Sequence, residues 1–175
     1  MGCRAPVRLA RLEELDHLAL IELDANLTLI EAGVPFPEGP TATPRHLMEI
    51  SLSEALLFVA TDPDDRPVGF LAAAERDGGL YVGEIDVLRR WQRRGIGRSL
   101  MSAGISEARA RHLWGAMLTT DRFVPFNYPF YASLGFREVA RDAMPPSLEQ
   151  VLADELARGK EAARRLGMVL RFDED

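Results

Sequence analysis

Apolar residues recur along this chain with two periods, and the two alternate. Leu12, Leu15, Leu18, Leu23 and Leu27 fall near helical spacing and predict a helix over residues 12–30. Residues 7–9 form a short candidate strand before it. The Gly- and Pro-rich stretch 33–40 reads as a loop. Thr43-Pro44 then looks like an N-cap followed by a first-turn proline, opening a helix that runs to about residue 52. The apolar runs 56–61 and 68–74 predict two buried strands joined as a hairpin by the turn 62–67. Gly78-Gly79 predicts the next turn and residues 80–87 the next strand.

Helical spacing resumes over 95–111, with Ile96, Leu100, Ala103 and Gly104 on one face. A strand at 114–120 and a short helix at 127–134 follow, the helix stopped by Gly135. Residues 136–140 form another strand. An amphipathic helix at 147–157 carries Leu148, Val151, Leu152 and Leu156, with Ser147 and Gln150 set as a capping box. A last strand is expected at 168–172. The alternation predicts an α/β fold. No repeat, low-complexity tract or linker interrupts it, so one domain over residues 1–175 is expected.

Composition narrows the function classes. The chain has 175 residues, enough to bury a core without metal or disulfide support. Its net charge of −6 speaks against a general nucleic-acid binder. The longest apolar runs, 55–60 and 68–74, fall far short of the ~18 residues that span a bilayer. Glu13, Glu14 and Asp16 interrupt any apolar leader, and Pro6 stands where a myristoylation signal wants Ser or Thr. Cys3 is the only cysteine, which excludes intramolecular disulfides and cysteine-based zinc sites. His17, His46 and His112 show no metal-ligand spacing, and no metal is expected. A cytoplasmic location, without membrane or nucleic-acid partners, is the expectation.

The most informative stretch is 84–100, which reads as strand, loop, glycine pair and helix. Gly95 and Gly97 sit where the helix begins. The first amides of a helix have no intrahelical partner, and the helix dipole there favours an anion. Arg89, Arg90, Arg93, Arg94 and Arg98 crowd ten residues of an otherwise acidic protein. A phosphate or pyrophosphate suits this chemistry; a solvated arginine face is the plainer alternative. A P-loop is excluded by the lack of Gly-Lys-Ser/Thr. A dinucleotide fingerprint is disfavoured because Leu100 stands where a third glycine belongs and seven residues separate Val87 from Gly95.

Gln92-Arg93-Arg94-Gly95-Ile96-Gly97 resembles the Q/R-x-x-G-x-G/A signature of the GNAT acetyltransferase superfamily, which uses acetyl-CoA. Downstream, the stretch from Asn127 to Phe136 resembles that family's second signature, with Tyr131 four residues before Gly135-Phe136. Residues 118–136 look like a bacterial subgroup of it. The resemblance implies a mixed, twisted central sheet with flanking helices, whose parallel strands 80–87 and 114–120 splay to admit the cofactor. Pantetheine would pair with the backbone of Ile85, Asp86 and Val87. The pyrophosphate would lie on the amides of Arg93, Arg94, Gly95, Ile96, Gly97 and Arg98, with Gln92 and Ser99 also among the cofactor-binding residues and Asn127 as a further cofactor contact or, more simply, a helix cap.

Acetyl transfer to an amine needs a neutral nucleophile, a donor for the developing oxyanion and a proton for the leaving thiolate. The resemblance implies a backbone amide near Val87 as the donor and Tyr131 as the acid, its ordinary pKa of about 10 keeping it protonated. Glu84 is the first candidate base. Asp86 is expected on the opposite face of the strand unless a bulge shifts the parity. The carboxylate that many relatives carry on the neighbouring strand is missing from Leu118-Thr119-Thr120. The early helices and their loop would line the acceptor site, where Glu22, Asp24, Glu31 and Glu38 suit a cationic amine. Polyamine, aminoglycoside, amino acid, lysine side chain and protein N-terminus all stay open as acceptors. A non-catalytic acyl-CoA-binding module is the alternative. A homodimer is possible.

Overall fold

The alternation resolves into strands and helices as the pattern predicts, in a computed structural model that describes residues 5–172. The strands are β1 (Val7–Leu9), β2 (Leu57–Thr61), β3 (Pro67–Arg76), β4 (Gly79–Val87), β5 (Gly115–Asp121), β6 (Arg137–Val139) and β7 (Arg165–Arg171). The α-helices are α1 (Leu15–Glu31), α2 (Arg45–Ser53), α3 (Ile96–Ala110), α4 (Asn127–Ser133) and α5 (Pro146–Ala157). Backbone pairing orders one seven-stranded sheet as β1-β2-β3-β4-β5-β7-β6. Most pairs are antiparallel, but β4 and β5 run parallel through Leu80↔Ala116 and Tyr81↔Met117, so the sheet is mixed. Among the described residues no helix is long and apolar enough to cross a membrane. Cys3 and Gly2 lie outside the described residues.

The chain groups into two compact units. One gathers the residues through Ala74 together with Val82–Glu107. Its core packs Leu15, Leu18 and Ile21 of α1 and Met48 of α2 on Leu57, Val59, Phe70 and Ala72 of β2 and β3. The stripe on α1 is therefore rotated from the expected one. Leu12 is 56% exposed and Leu27 40% exposed, while Ile21 and Ala25 are buried. A stripe chosen by leucines alone overlooks the smaller and β-branched residues that share the 3.6-residue face. The expected cap at Thr43 also fails. Helix α2 starts at Arg45 with no side-chain cap: its N-cap position is Pro44, and the Thr43 hydroxyl donates to Glu22. The 62–67 turn forms as expected, with Asp62 Oδ1 accepting the Asp64 and Arg66 amides.

The second unit gathers Glu75–Tyr81 and the chain from Ala108 onward. Its turn between β3 and β4 is Asp77-Gly78, one residue earlier than expected, with φ of 50° and 68°. Positive φ at both central residues is the type I′ geometry that suits the twist of a hairpin. Gly79 lies in β4, where an added Cβ would stand 2.6 Å from the Trp114 indole. Trp114 Nε1 donates to the Asp77 carbonyl, and the Asp77 carboxylate accepts the Ser147 amide at the start of α5. That carboxylate replaces the expected Ser147/Gln150 capping box; Gln150 turns to Asp154. Strand β7 begins at Arg165, three residues before its expected start, and pairs along the whole of β5. Met117, Leu148 and Val169 form a core there, with Trp114, Val139 and Met144 against it.

Candidate active site

β4 enters the motif and a braced turn leaves it. The Leu88 amide donates to Val68 O at 2.9 Å, after which the chain leaves the sheet in a 3-10 turn at Arg89–Trp91. Gln92 ties the turn back: its Nε2 donates to Val87 O at 3.0 Å, and its Oε1 accepts from Thr28 of α1 at 3.3 Å. Arg93 and Gly95 have φ of 61° and 80°, which swing the chain into α3. Gly95 suits that conformation because its φ of 80° lies in the left-handed region, not because of crowding: an added Cβ would meet nothing within 4 Å. The Ser99 amide reaches Gly95 O at 3.0 Å, the first helical hydrogen bond of α3. The amides before Ser99 have no intrahelical acceptor, and Gly95 beside them is exposed.

The arginines of this turn have divided roles. The Arg94 guanidinium lies 4.9 Å above the Trp91 ring and donates to Arg90 O, which braces the loop. Arg89 pairs with Glu31 through its guanidinium and donates its amide to Asp24 at 2.7 Å. Asp24 and Glu31, expected to line an acceptor site, also hold the turn against α1. The open groove beside them, about 660 Å³, is lined by His17, Asp24, Thr28, Glu31, Leu88 and Arg89 among others.

Glu84 and Asp86 share a face. Side chains on a strand repeat every second residue, so the expectation that Asp86 turns away from Glu84 is wrong by simple parity. Carboxylate oxygens of Glu84, Asp86 and Glu22 all lie within 4.8 Å of one another. Gly69 of β3 admits this stretch of β4, since its Cβ would stand 2.9 Å from Asp86 O. Glu22, 6% exposed, comes from α1 and accepts the Thr43 amide at 2.8 Å and the Thr43 hydroxyl at 3.0 Å. Burial raises the Glu22 carboxyl above its ordinary pKa, and the Thr43 hydrogen bonds only partly offset that. Burial also lifts Asp86 well above the carboxylate range, with Glu84 and Glu22 adding repulsion. Asp86 keeps some exposed surface, but its Oδ2 is sealed from water and has no hydrogen-bond partner.

The sequence offered one sign of Glu22's place. It is a charged residue inside the buried α1 stripe of Leu18, Ile21 and Ala25.

In the second unit, Asn127 is the first residue of α4 rather than its cap. The N-cap position is Phe126, and the Asn127 amide donates to Val124 O. The capping role expected for its side chain does not form. Tyr131 is half-buried at the other end of the helix, its ring edge-on to Phe130 at 5.2 Å and Phe136 at 6.1 Å. Gly135, at φ 95°, ends the helix as expected. On β5, Thr119 donates to Glu155, a carboxylate that also accepts from Arg165 and Lys160.

The chain matches the model of the Acetyltransferase (GNAT) family over residues 23–136. Among solved structures it resembles Ard1 from Thermoplasma volcanium, with a TM-score of 0.70 at 16% identity, covering 98% of this chain and 100% of that one. It also resembles the ribosomal-protein-S18-alanine N-acetyltransferase of Escherichia coli, with a TM-score of 0.69 at 20% identity, covering 97% and 95%. A PaiA N-acetyltransferase from Thermoplasma acidophilum in complex with coenzyme A gives a TM-score of 0.69 at 13% identity, covering 97% and 100%. These structures share the mixed α/β architecture described above.

Proposed function

The chain belongs to the GNAT acetyltransferase family and is an acetyl-CoA-dependent acyltransferase, and on that premise we propose that it passes the acetyl group directly to a primary amine. The observation that carries the reading is the turn at 92–99, where helix-start amides beside Gly95 offer an anion site in the position of the family's first signature. The pyrophosphate rests on the turn from Arg93 to Arg98, and the backbone of Ile85 to Val87 pairs with pantetheine. Gln92 acts at one remove, by fixing the turn to the strand end. Glu84 takes the proton of the amine. The nitrogen attacks the thioester carbon, and a backbone N–H near Val87 stabilises the oxyanion. The C–S bond then breaks and Tyr131 protonates the thiolate. Tyr131 has this role from the second signature, and the bacterial subgroup from the pattern over residues 118–136.

Two variants test the reading. Gly97→Asp puts a carboxylate on the first turn of α3 and repels the pyrophosphate. The acetyl-CoA dissociation constant is expected to rise at least ~10-fold by titration calorimetry, about 1.4 kcal/mol. Unaltered affinity would move the pyrophosphate elsewhere. Tyr131→Phe removes only a hydroxyl, and kcat is expected to fall by about 10²-fold with acetyl-CoA affinity retained. A kcat equal to wild type across the pH range would assign the proton to another donor.

A further inference from the structure

We propose that Glu22, Glu84 and Asp86 form a seat for the acceptor's ammonium group, and that the acceptor is therefore a cationic primary amine with no carboxylate near the reacting nitrogen. The proposal rests on the amine-transfer reading above and adds the acceptor's chemical class to it.

The first observation is spacing. Three oxygens no more than 4.8 Å apart share a centre no further than about 2.8 Å from each, the length of a charge-assisted N–H···O bond. An ammonium offers three N–H donors, one for each oxygen. The second observation is independent of the cluster's charge. Asp86 Oδ2 is sealed from water and has no partner, an arrangement that costs stability and calls for a donor. Glu22 already directs one bond to each of its oxygens from Thr43, which fixes the carboxylate from the 32–44 loop side. Burial and mutual repulsion favour protons on Glu22 and Asp86 when the seat is empty, so an entering ammonium replaces protons rather than water.

A divalent cation fits less well. Three carboxylates would hold calcium or magnesium only with water completing the shell, and one of the three, Glu22, is already hydrogen-bonded at both oxygens. In the reaction, the seated R–NH3⁺ gives one proton to Glu84. The nitrogen lone pair forms the C–N bond, the C–S bond breaks to leave a thiolate, and the second proton the nitrogen loses as the amide forms balances the one Tyr131 gives to the thiolate. A substrate carboxylate beside the nitrogen would meet this group of acids and be repelled, which disfavours free amino acids.

The test compares kcat/KM for propylamine and β-alanine, whose amines are of nearly equal basicity, by CoA release. Propylamine is expected to be at least tenfold better. That ratio is expected to shrink in Glu22→Gln and in Asp86→Asn, each checked for folding by circular dichroism. A ratio measured within one variant does not move when the variant merely loses active protein. Equal rates with the two amines in the wild-type enzyme would overturn the seat while leaving amine transfer intact. So would a ratio unchanged in both variants. A preference abolished by EDTA and restored by magnesium or calcium would assign the cluster to a metal instead. CoA release with neither amine nor with a lysine-containing peptide, while acetyl-CoA still binds, would overturn the transfer reading and the seat with it.

Discussion

Glu84→Gln is expected to lower kcat by about 10²- to 10⁴-fold, the usual contribution of a general base, with acetyl-CoA affinity changed little. The amide keeps the size and shape of the carboxylate, so β4 is undisturbed. What changes is proton affinity. An alkylammonium cannot attack a thioester until its nitrogen lone pair is free, and glutamine cannot accept the proton. Glu84 is the candidate because it is partly exposed, whereas Glu22 is buried and both of its oxygens are held by Thr43. Steady-state CoA release and calorimetric binding of acetyl-CoA check this together. A variant that keeps more than about a tenth of wild-type kcat would transfer the role to another group.

Glu155→Ala is expected to destabilise the second unit by about 3–5 kcal/mol, the cost of leaving one member of a buried ion pair alone. Glu155 is 7% exposed. It accepts from Arg165 Nε at 3.0 Å and Nη2 at 2.8 Å, from Lys160 at 3.0 Å and from Thr119 at 3.1 Å. Alanine leaves the Arg165 guanidinium largely buried, with the Thr119 hydroxyl as its remaining acceptor. Lys160 is half-exposed and loses little. The pH dependence has a definite sign. Burial alone would raise the Glu155 pKa, but Arg165 and Lys160 outweigh it and the carboxyl sits below its ordinary value. Its contribution is therefore present above the ordinary glutamate pKa and lost as pH falls through the depressed value. Urea melts at neutral pH should show the full loss, and the difference between wild type and variant should narrow on acidification. A loss below about 1 kcal/mol at pH 7 would mean that the surroundings relax to hydrate Arg165.

The elements were legible because each carries its own period and punctuation. The turn at 92–99 was legible because glycine at a positive φ and a helix start are local events. What escaped the sequence was competition from distant groups. Thr43 has the composition of a cap, but the helix begins one residue later, behind Pro44, and the Thr43 amide and hydroxyl donate to a buried carboxylate from α1. Ser147 and Gln150 have the spacing of a capping box, yet Asp77, seventy residues away in sequence, reaches the Ser147 amide. Asp24 and Glu31 read as acceptor-site charges; they line the open groove and in addition hold Arg89, which no local pattern announces. The shared face of Glu84 and Asp86 was fixed by their spacing alone and needed no fold to see it. Their meeting with Glu22 depends on how α1 crosses the sheet, which no local pattern encodes.

The tether from Gln92 to Val87 is an amide bonded to a carbonyl, with no net charge at either end. At 1 M salt the Debye length shrinks to about 3 Å, and exposed contacts such as Arg89 to Glu31 weaken. The tether feels none of that screening. Rising ionic strength should therefore erode the electrostatic pull on an incoming nucleotide while the cradle awaiting it keeps its shape.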